Sequence, residues 1–196
     1  MLLSDRISNQ LTQICIDNHV IESGEKEIYH YCFSYFFDIL LYNMNILLLG
    51  LLLHRPFQAL LFTTVTFPGK TLAGGAHASS PERCQIISYG LFLISLWIVN
   101  CYSIFKISAI IIYSIACVIV IHLAPVDHPN KRFDSEQKHR LRIACHIFII
   151  PVTLVFCVMI CFNKIIYYNL MTLCIVILMC NQIIGILQNR RYSHET

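Results

Sequence analysis

Residues 165–187, IIYYNLMTLCIVILMCNQIIGIL, run without one charged side chain. An α-helix needs roughly 20 predominantly apolar residues to cross the hydrocarbon of a bilayer, and this stretch supplies them in one piece. Three more runs do the same: 86–105, 107–125 and 143–162. A fifth, 30–53, carries a single charge, Asp38. The chain as a whole is 57% hydrophobic and 13% charged, whereas a soluble domain carries roughly 25% charged residues. So few charges cannot clothe a globular surface, and the surplus apolar surface calls for lipid as its solvent. An integral membrane protein follows, all-α and polytopic.

A sixth span is harder to read. Residues 56–67, PFQALLFTTVTF, are short for a crossing. The charges help to orient the spans. Lys131, Arg132, Lys138, Arg140 and Arg142 cluster in one loop, and Arg190 with Arg191 near the end, while the turns between are poor in charge. By the positive-inside rule that loop and the C-terminus are cytoplasmic. Working backwards, the 68–85 loop is cytoplasmic too, and so is the N-terminus if 56–67 crosses. About six transmembrane helices are expected, the second of them short or irregular. It is tilted, unwound at its end or set in a thinned region, since non-helical backbone at membrane depth is tolerated where protein or water surrounds it.

The first 29 residues lack the continuous apolar core of a signal peptide. They do repeat apolar side chains at Leu3, Ile7, Leu11, Ile14 and Ile21, which predicts an amphipathic helix. One membrane domain is expected over 1–196. It comprises the amphipathic helix over 1–29, a transmembrane bundle over 30–187 and a cytoplasmic tail over 188–196. The net charge of +3 is too small to argue for nucleic acid, and no Gly-rich phosphate loop occurs. Of ten cysteines, eight fall within apolar runs, where cysteine packs as a small hydrophobe. No CxxC supports a zinc-ribbon or thioredoxin reading.

The polar exception is the loop GGAHASSPERC, residues 74–84. Ser80-Pro81-Glu82 reads as a helix start: Ser80 as cap, Pro81 at the first helical position, Glu82 facing the positive end of the dipole. Ser79 with Glu82 as a capping box is the alternative. Either way Cys84 lies near the first turn, where a helix N-terminus and Arg83 favour thiolate, the nucleophilic form. In one straight helix His77 would stand about 10 Å from Cys84 along the axis. Pro81 and the Gly74-Gly75 pair break that geometry, so the loop can fold His77 back to within the roughly 3 Å of a base–nucleophile pair. The glycines allow unusual dihedrals or a close substrate approach. Plainer readings remain open on spacing alone, because a cysteine at a membrane-helix start usually packs and a loop histidine is usually solvated. A metal site has two ligands here and no third near in sequence.

The segment KTLAGGAHASSPERCQIIS, 70–88, resembles the central motif of the accessory gene regulator B family, membrane endopeptidases that mature quorum-sensing peptides. APVDHPNKRF, 124–133, resembles a second family segment, and YFFDILLYN, 35–43, a third. The three occur in the family's order and the likeness covers nearly the whole chain. Departures are Lys70 where an arginine is expected, Asp38 in place of a glutamate, and Arg132-Phe133 in place of Pro-Leu. The resemblance implies Cys84 as nucleophile and His77 as general base of a cysteine endopeptidase. It acts on the C-terminal part of a propeptide through a thioester and promotes thiolactone or lactone formation. It implies no cofactor, a propeptide partner with an amphipathic leader and an acidic tail, a homodimer, and a bacterial plasma membrane location.

Asp38, an ionisable group inside a span, is a functional candidate by default. It could orient His77, or simply hydrogen-bond Asn43, Asn45 or another helix. Ser88, one turn beyond Cys84, is placed to line the site. Lys70, Gly74, Gly75, Ser80 and Pro81 are candidates for loop geometry, oxyanion or substrate contact. His122 and His146 read as packed or hydrogen-bonded. A membrane carrier or channel lined by Asp38, Asn43 and Asn45, or a non-catalytic membrane scaffold, are the alternatives to the enzyme.

Overall fold

The computed structural model describes residues 3–76, 80–102, 104–127 and 133–195. Seven α-helices account for almost all of them: α1 Leu3–Asp17, α2 Lys26–Leu52, α3 Pro56–Ala73, α4 Pro81–Cys101, α5 Lys106–Leu123, α6 Ser135–Cys161 and α7 Ile165–Glu195. No strand occurs among the described residues, only an isolated bridge between Gly74 and Val126. Among the described residues five helices are long and apolar enough to cross a membrane: α2, Glu82–Cys101 of α4, α5, α6 and Ile165–Arg190 of α7. The all-α polytopic reading therefore holds.

Several helix ends are written in local chemistry. α1, α2 and α6 each stop at a non-glycine residue of positive φ, namely His19, His54 and Asn163. Each is followed by an N–H that reaches back five residues: Val20 to Cys15 O, Arg55 to Gly50 O, Lys164 to Met159 O. This is the Schellman closure, which satisfies carbonyls a helix end would leave open. α6 starts where Asp134 accepts the Glu136 N–H at 3.2 Å and Gln137 Oε1 accepts the Asp134 N–H at 3.4 Å.

Residues 1–49 and 50–196 form two compact units. In the first, α1 ends at Asp17 rather than running through 29, because the His19 turn closes it and α2 begins already at Lys26. Its buried stripe is Ser8 and Thr12, offset from the apolar repeat, and Ile14 is exposed. The Thr12 hydroxyl donates to Ser8 O at 2.7 Å. Asp5 pairs with His30 of α2 at 3.1 Å.

In the second unit α7 packs against α3, α4, α5 and α6. It buries Leu170, Met171, Cys174, Ile175 and Leu178. α3 lies against the same helices. The Phe62 and Phe92 rings meet at 5.2 Å, and Gly69 lets the Leu178 side chain approach so closely that a Cβ would stand 2.4 Å from it. The doubtful second span is thus corrected in length. The helix continues through Pro68-Gly69 to Ala73, 18 residues or about 27 Å, close to the hydrocarbon thickness. Its polarity is tolerated because neighbouring helices enclose it, and Thr63 and Thr66 donate to the carbonyls of Ala59 and Phe62. Two other boundaries move outward: α6 begins at Ser135 rather than 143, and the expected tail over 188–196 continues α7 to Glu195.

Candidate active site at one end of the bundle

The loop after α3 begins with two glycines held in the left-handed half of backbone space, Gly74 at φ 70° and Gly75 at φ 131°. Both are crowded by this chain's own backbone. A Cβ on Gly74 would stand 2.2 Å from Val126 O, and one on Gly75 2.8 Å from Asn181 O. Of the two uses expected for the pair, the dihedrals and the close approach of protein backbone are the ones seen.

Three segments converge here. Val126 N–H donates to Ala73 O at 2.9 Å. The Gln182 amide, fully buried, donates to Ala73 O and Val120 O, both at 3.2 Å. Asn181 grips the loop twice: its side-chain Nδ2 donates to Gly74 O at 3.2 Å, and its main-chain O accepts the Ala76 N–H at 3.0 Å. The α5–α6 connection is tied down in turn. Asn189 Nδ2 donates to Asp127 O at 2.7 Å, Arg142 Nε to Ala124 O at 3.2 Å, and Lys138 pairs with the Asp127 carboxylate at 2.6 Å. Residues 73–76 and 124–127, far apart in the chain, therefore share one end of the bundle.

α4 opens as its sequence predicts. Ser80, not Ser79, is the cap: its hydroxyl accepts the Arg83 N–H at 3.4 Å, and Pro81 occupies the first turn. Cys84 follows in that turn, half-buried and free, its N–H bonded to Ser80 O at 3.2 Å. Four residues on, Ser88 is buried and accepts from Lys70 Nζ at 3.4 Å. Two residues singled out separately thus meet, and the α3 ammonium stands about one helical turn from the level of Cys84. The oxyanion reading of 81–84 narrows. Pro81 has no N–H and the Arg83 and Cys84 N–H groups are engaged by Ser80, which leaves the Glu82 N–H as the remaining candidate.

His77 lies outside the described residues, as do Ser79 and 128–132. Asp38 is half-buried in α2, within the other unit. Asn43, once offered as its partner, instead donates to Ile39 O at 2.8 Å. His122 and His146 are exposed, not packed. All ten cysteines are free, with Cys117, Cys145 and Cys174 buried. Among the described residues no group of three His, Cys, Asp or Glu side chains gathers to hold a metal. The residues missed from sequence are Asn181, Gln182 and Gly185. Their signal is a polar Asn-Gln pair with a glycine four residues after the Asn, inside an otherwise apolar span.

Fold and site together define a multi-pass helical membrane protein with a free thiol in the capped first turn of a spanning helix, beside a loop fastened into the bundle. The model of the family accessory gene regulator B, AgrB, matches residues 4–186, and the chain belongs to that family. It is similar to a "Putative AgrB-like protein" of Clostridium perfringens (strain SM101 / Type A), 24% identical over 86% of this chain and 77% of the relative. It is also similar to "Putative AgrB-like protein 2" of Clostridium perfringens (strain 13 / Type A), 26% identical over 71% of this chain and 64% of the relative. The chain thus spans less than two thirds of the second relative's length. No solved structure matches. Membership supports a part in accessory gene regulator peptide processing.

Proposed function

We propose that the chain is a membrane-embedded cysteine endopeptidase that cleaves the C-terminal part of a quorum-sensing propeptide. The observation that carries the reading is Cys84, free and half-buried in a helix turn capped by Ser80. His77 takes the thiol proton or stabilises a thiolate already formed. Cys84 Sγ attacks one peptide carbonyl. The oxyanion draws on the Glu82 N–H. His77 then protonates the leaving amine, the C–N bond breaks, and the C-terminal fragment departs from a thioester.

A thiol or hydroxyl within the substrate then attacks that thioester, forming a cyclic thiolactone or lactone and returning Cys84 as a thiol. Thioester exchange is nearly isoenergetic, so the covalent intermediate conserves acyl activation that direct cyclisation of a peptide would lack. Hydrolysis competes unless water is kept out, which an enclosed membrane site does. Lys70 and the 131–142 charge run suit an acidic propeptide tail, and the amphipathic leader rests on the bilayer. The working unit is a homodimer in a bacterial plasma membrane, with both termini and the catalytic loop cytoplasmic.

The test is cleavage of a propeptide in proteoliposomes. Cys84→Ala and His77→Ala each abolish it; turnover surviving in either variant refutes the dyad. Selective alkylation of Cys84 among the ten thiols at neutral pH is expected, whereas uniform inertness favours a carrier or a scaffold.

A further inference from the structure

We propose that His139, Arg142 and His146 of α6 form a binding site for the headgroup of an anionic phospholipid. The three stand three and four residues apart, on adjoining turns of one helix face, and all three are exposed. The same face continues with Ile143, Ile147, Ile150 and Leu154, exposed by 44%, 62%, 63% and 62%. The opposite face, with Cys145, Ile149 and Phe156, is buried in the bundle. On a spanning helix an exposed row of isoleucines is covered by acyl chains. A basic, hydrogen-bonding end on that row therefore meets what those chains carry, a headgroup.

The depth of the three residues agrees. α6 has 27 residues, about 40 Å at 1.5 Å each, against hydrocarbon about 30 Å thick. About 20 residues cross that thickness, and counted back from the end of α6 at Cys161 they reach Arg142. Arg142 thus stands where phosphates lie. His139 is about 4.5 Å further out and His146 about 6 Å further in, a depth from which an imidazole tip snorkels to the boundary.

The charges point the same way. Lys138 pairs with the Asp127 carboxylate and Arg140 with Glu136. Arg142 Nε instead donates to a neutral carbonyl, Ala124 O, at 3.2 Å. That bond steadies the guanidinium against the end of α5 and leaves its terminal N–H groups for phosphate oxygens, which they match in pairs. Each neutral imidazole offers one further N–H donor. A phosphatidylcholine presents its phosphate beside a fixed positive charge, so the site favours lipids of net negative charge. A free phosphate ion or a soluble acidic peptide has no chains to lay on the isoleucine row. The proposal rests on α6 crossing the membrane and not on the Cys84 chemistry.

The experiment offers full-length protein in detergent micelles equal amounts of phosphatidylglycerol and phosphatidylcholine, and counts the lipid retained by native mass spectrometry. Wild type retains phosphatidylglycerol in preference. Arg142→Gln lowers that preference about fivefold, the worth of one arginine at an anionic surface. The His139→Leu/His146→Leu double variant, which keeps the bond to Ala124 O, lowers it in the same direction. Arg140→Gln, whose guanidinium is engaged by Glu136, leaves it unchanged. Neither millimolar inorganic phosphate nor a soluble hexaglutamate displaces the lipid. Helical circular dichroism checks that each variant is folded.

Equal retention of the two lipids by wild type overturns the proposal. So does an unchanged preference in either folded variant of the stripe, or an equal loss in Arg140→Gln, which marks charge in general. Displacement by phosphate makes the stripe a free-anion site, and displacement by hexaglutamate a peptide surface; either refutes the lipid. If Arg142→Gln fails to fold, the histidine variant decides alone.

Discussion

Gly185→Ala turns the contact between α7 and the α3–α4 loop into a measurable free energy. The added Cβ would meet Gly75 C at 2.6 Å, Ala76 N at 2.7 Å and Gly75 Cα at 2.8 Å. All three are main-chain atoms, so no rotamer change relieves them. Restoring ordinary contact requires the loop to lift by about 0.8 Å or more. That stretches the 3.0 Å bond from Ala76 N–H and the 3.2 Å bond to Gly74 O beyond useful length. Holding the contact costs about 1–3 kcal/mol of overpacking. Releasing it costs the two bonds, at about 0.5–1.5 kcal/mol each. Alanine returns up to about 1 kcal/mol of helix propensity. The net expectation is a loss of about 1–2 kcal/mol. Gly90→Ala in α4 is the matched control, because nothing lies within 4 Å of its Cβ. There the propensity term stands alone and stabilises by about 0.5–1 kcal/mol. The assay is denaturant-driven unfolding in mixed micelles, read by helical circular dichroism and by exposure of the buried Cys174 thiol to a reactive dye. If Gly185→Ala proves as stable as Gly90→Ala, the close approach of loop and helix described above is wrong.

Ser80→Ala removes the α4 cap at a cost of about 1 kcal/mol, and fraying of the first turn lowers the selectivity with which Cys84 is alkylated. Equal stability and equal selectivity would deny the cap its role. Lys70→Met keeps the stem and deletes the ammonium that reaches Ser88; kcat/KM for propeptide cleavage falls about 10- to 100-fold, the worth of one charge-assisted hydrogen bond, while unfolding changes little. Undiminished cleavage would leave Lys70 structural. Asp38→Asn separates the two readings of that carboxylate: turnover lost with folding intact supports an orienting role, and full activity leaves Asp38 a structural hydrogen-bonding group. A membrane-impermeant maleimide added to intact cells reaches neither Cys84 nor an introduced thiol in His139→Cys, yet labels both after permeabilisation. Labelling of one and not the other from outside would contradict the shared end of the bundle.

Hydropathy made the apolar spans legible because lipid imposes one simple rule on every residue of a crossing helix. Cap chemistry made the start of α4 legible because Ser80, Pro81 and Glu82 act within a single turn, with no help from tertiary structure. What stayed hidden depended on distant partners. Pro68-Gly69 carries a local breaker signal, yet α3 continues for five residues beyond Pro68, and Gly69 is the point at which Leu178 packs in. The buried stripe of α1 is Ser8 and Thr12, because small residues pack closely and the Thr12 hydroxyl is satisfied by its own helix. Asn181 and Gln182 read as minor interruptions of an apolar run, since an averaged hydropathy does not register which carbonyl a polar side chain will meet. The role of Gly74-Gly75 was half legible: positive φ is a property of glycine, but the backbone that presses on them belongs to residues 126 and 181.

Ala73 O shows how the end of α3 is held. It accepts from Val126 N–H, from the α5–α6 connection, and from Gln182 Nε2, from α7. One atom at the end of α3 thus joins three segments more than 50 residues apart. A buried carbonyl with both lone pairs engaged has no unmet demand for water. The end of the bundle can then stay dry up to the level of the glycines. A thioester formed at Cys84 would lie in the half-buried first turn of α4. Exclusion of water there is what internal attack by the substrate requires in order to outrun hydrolysis. The same logic predicts the character of the errors. Loosening Ala73, by Gln182→Leu for example, should raise the share of linear over cyclic product before it lowers total cleavage, because water entry changes the fate of the acyl group without touching the residues that form it.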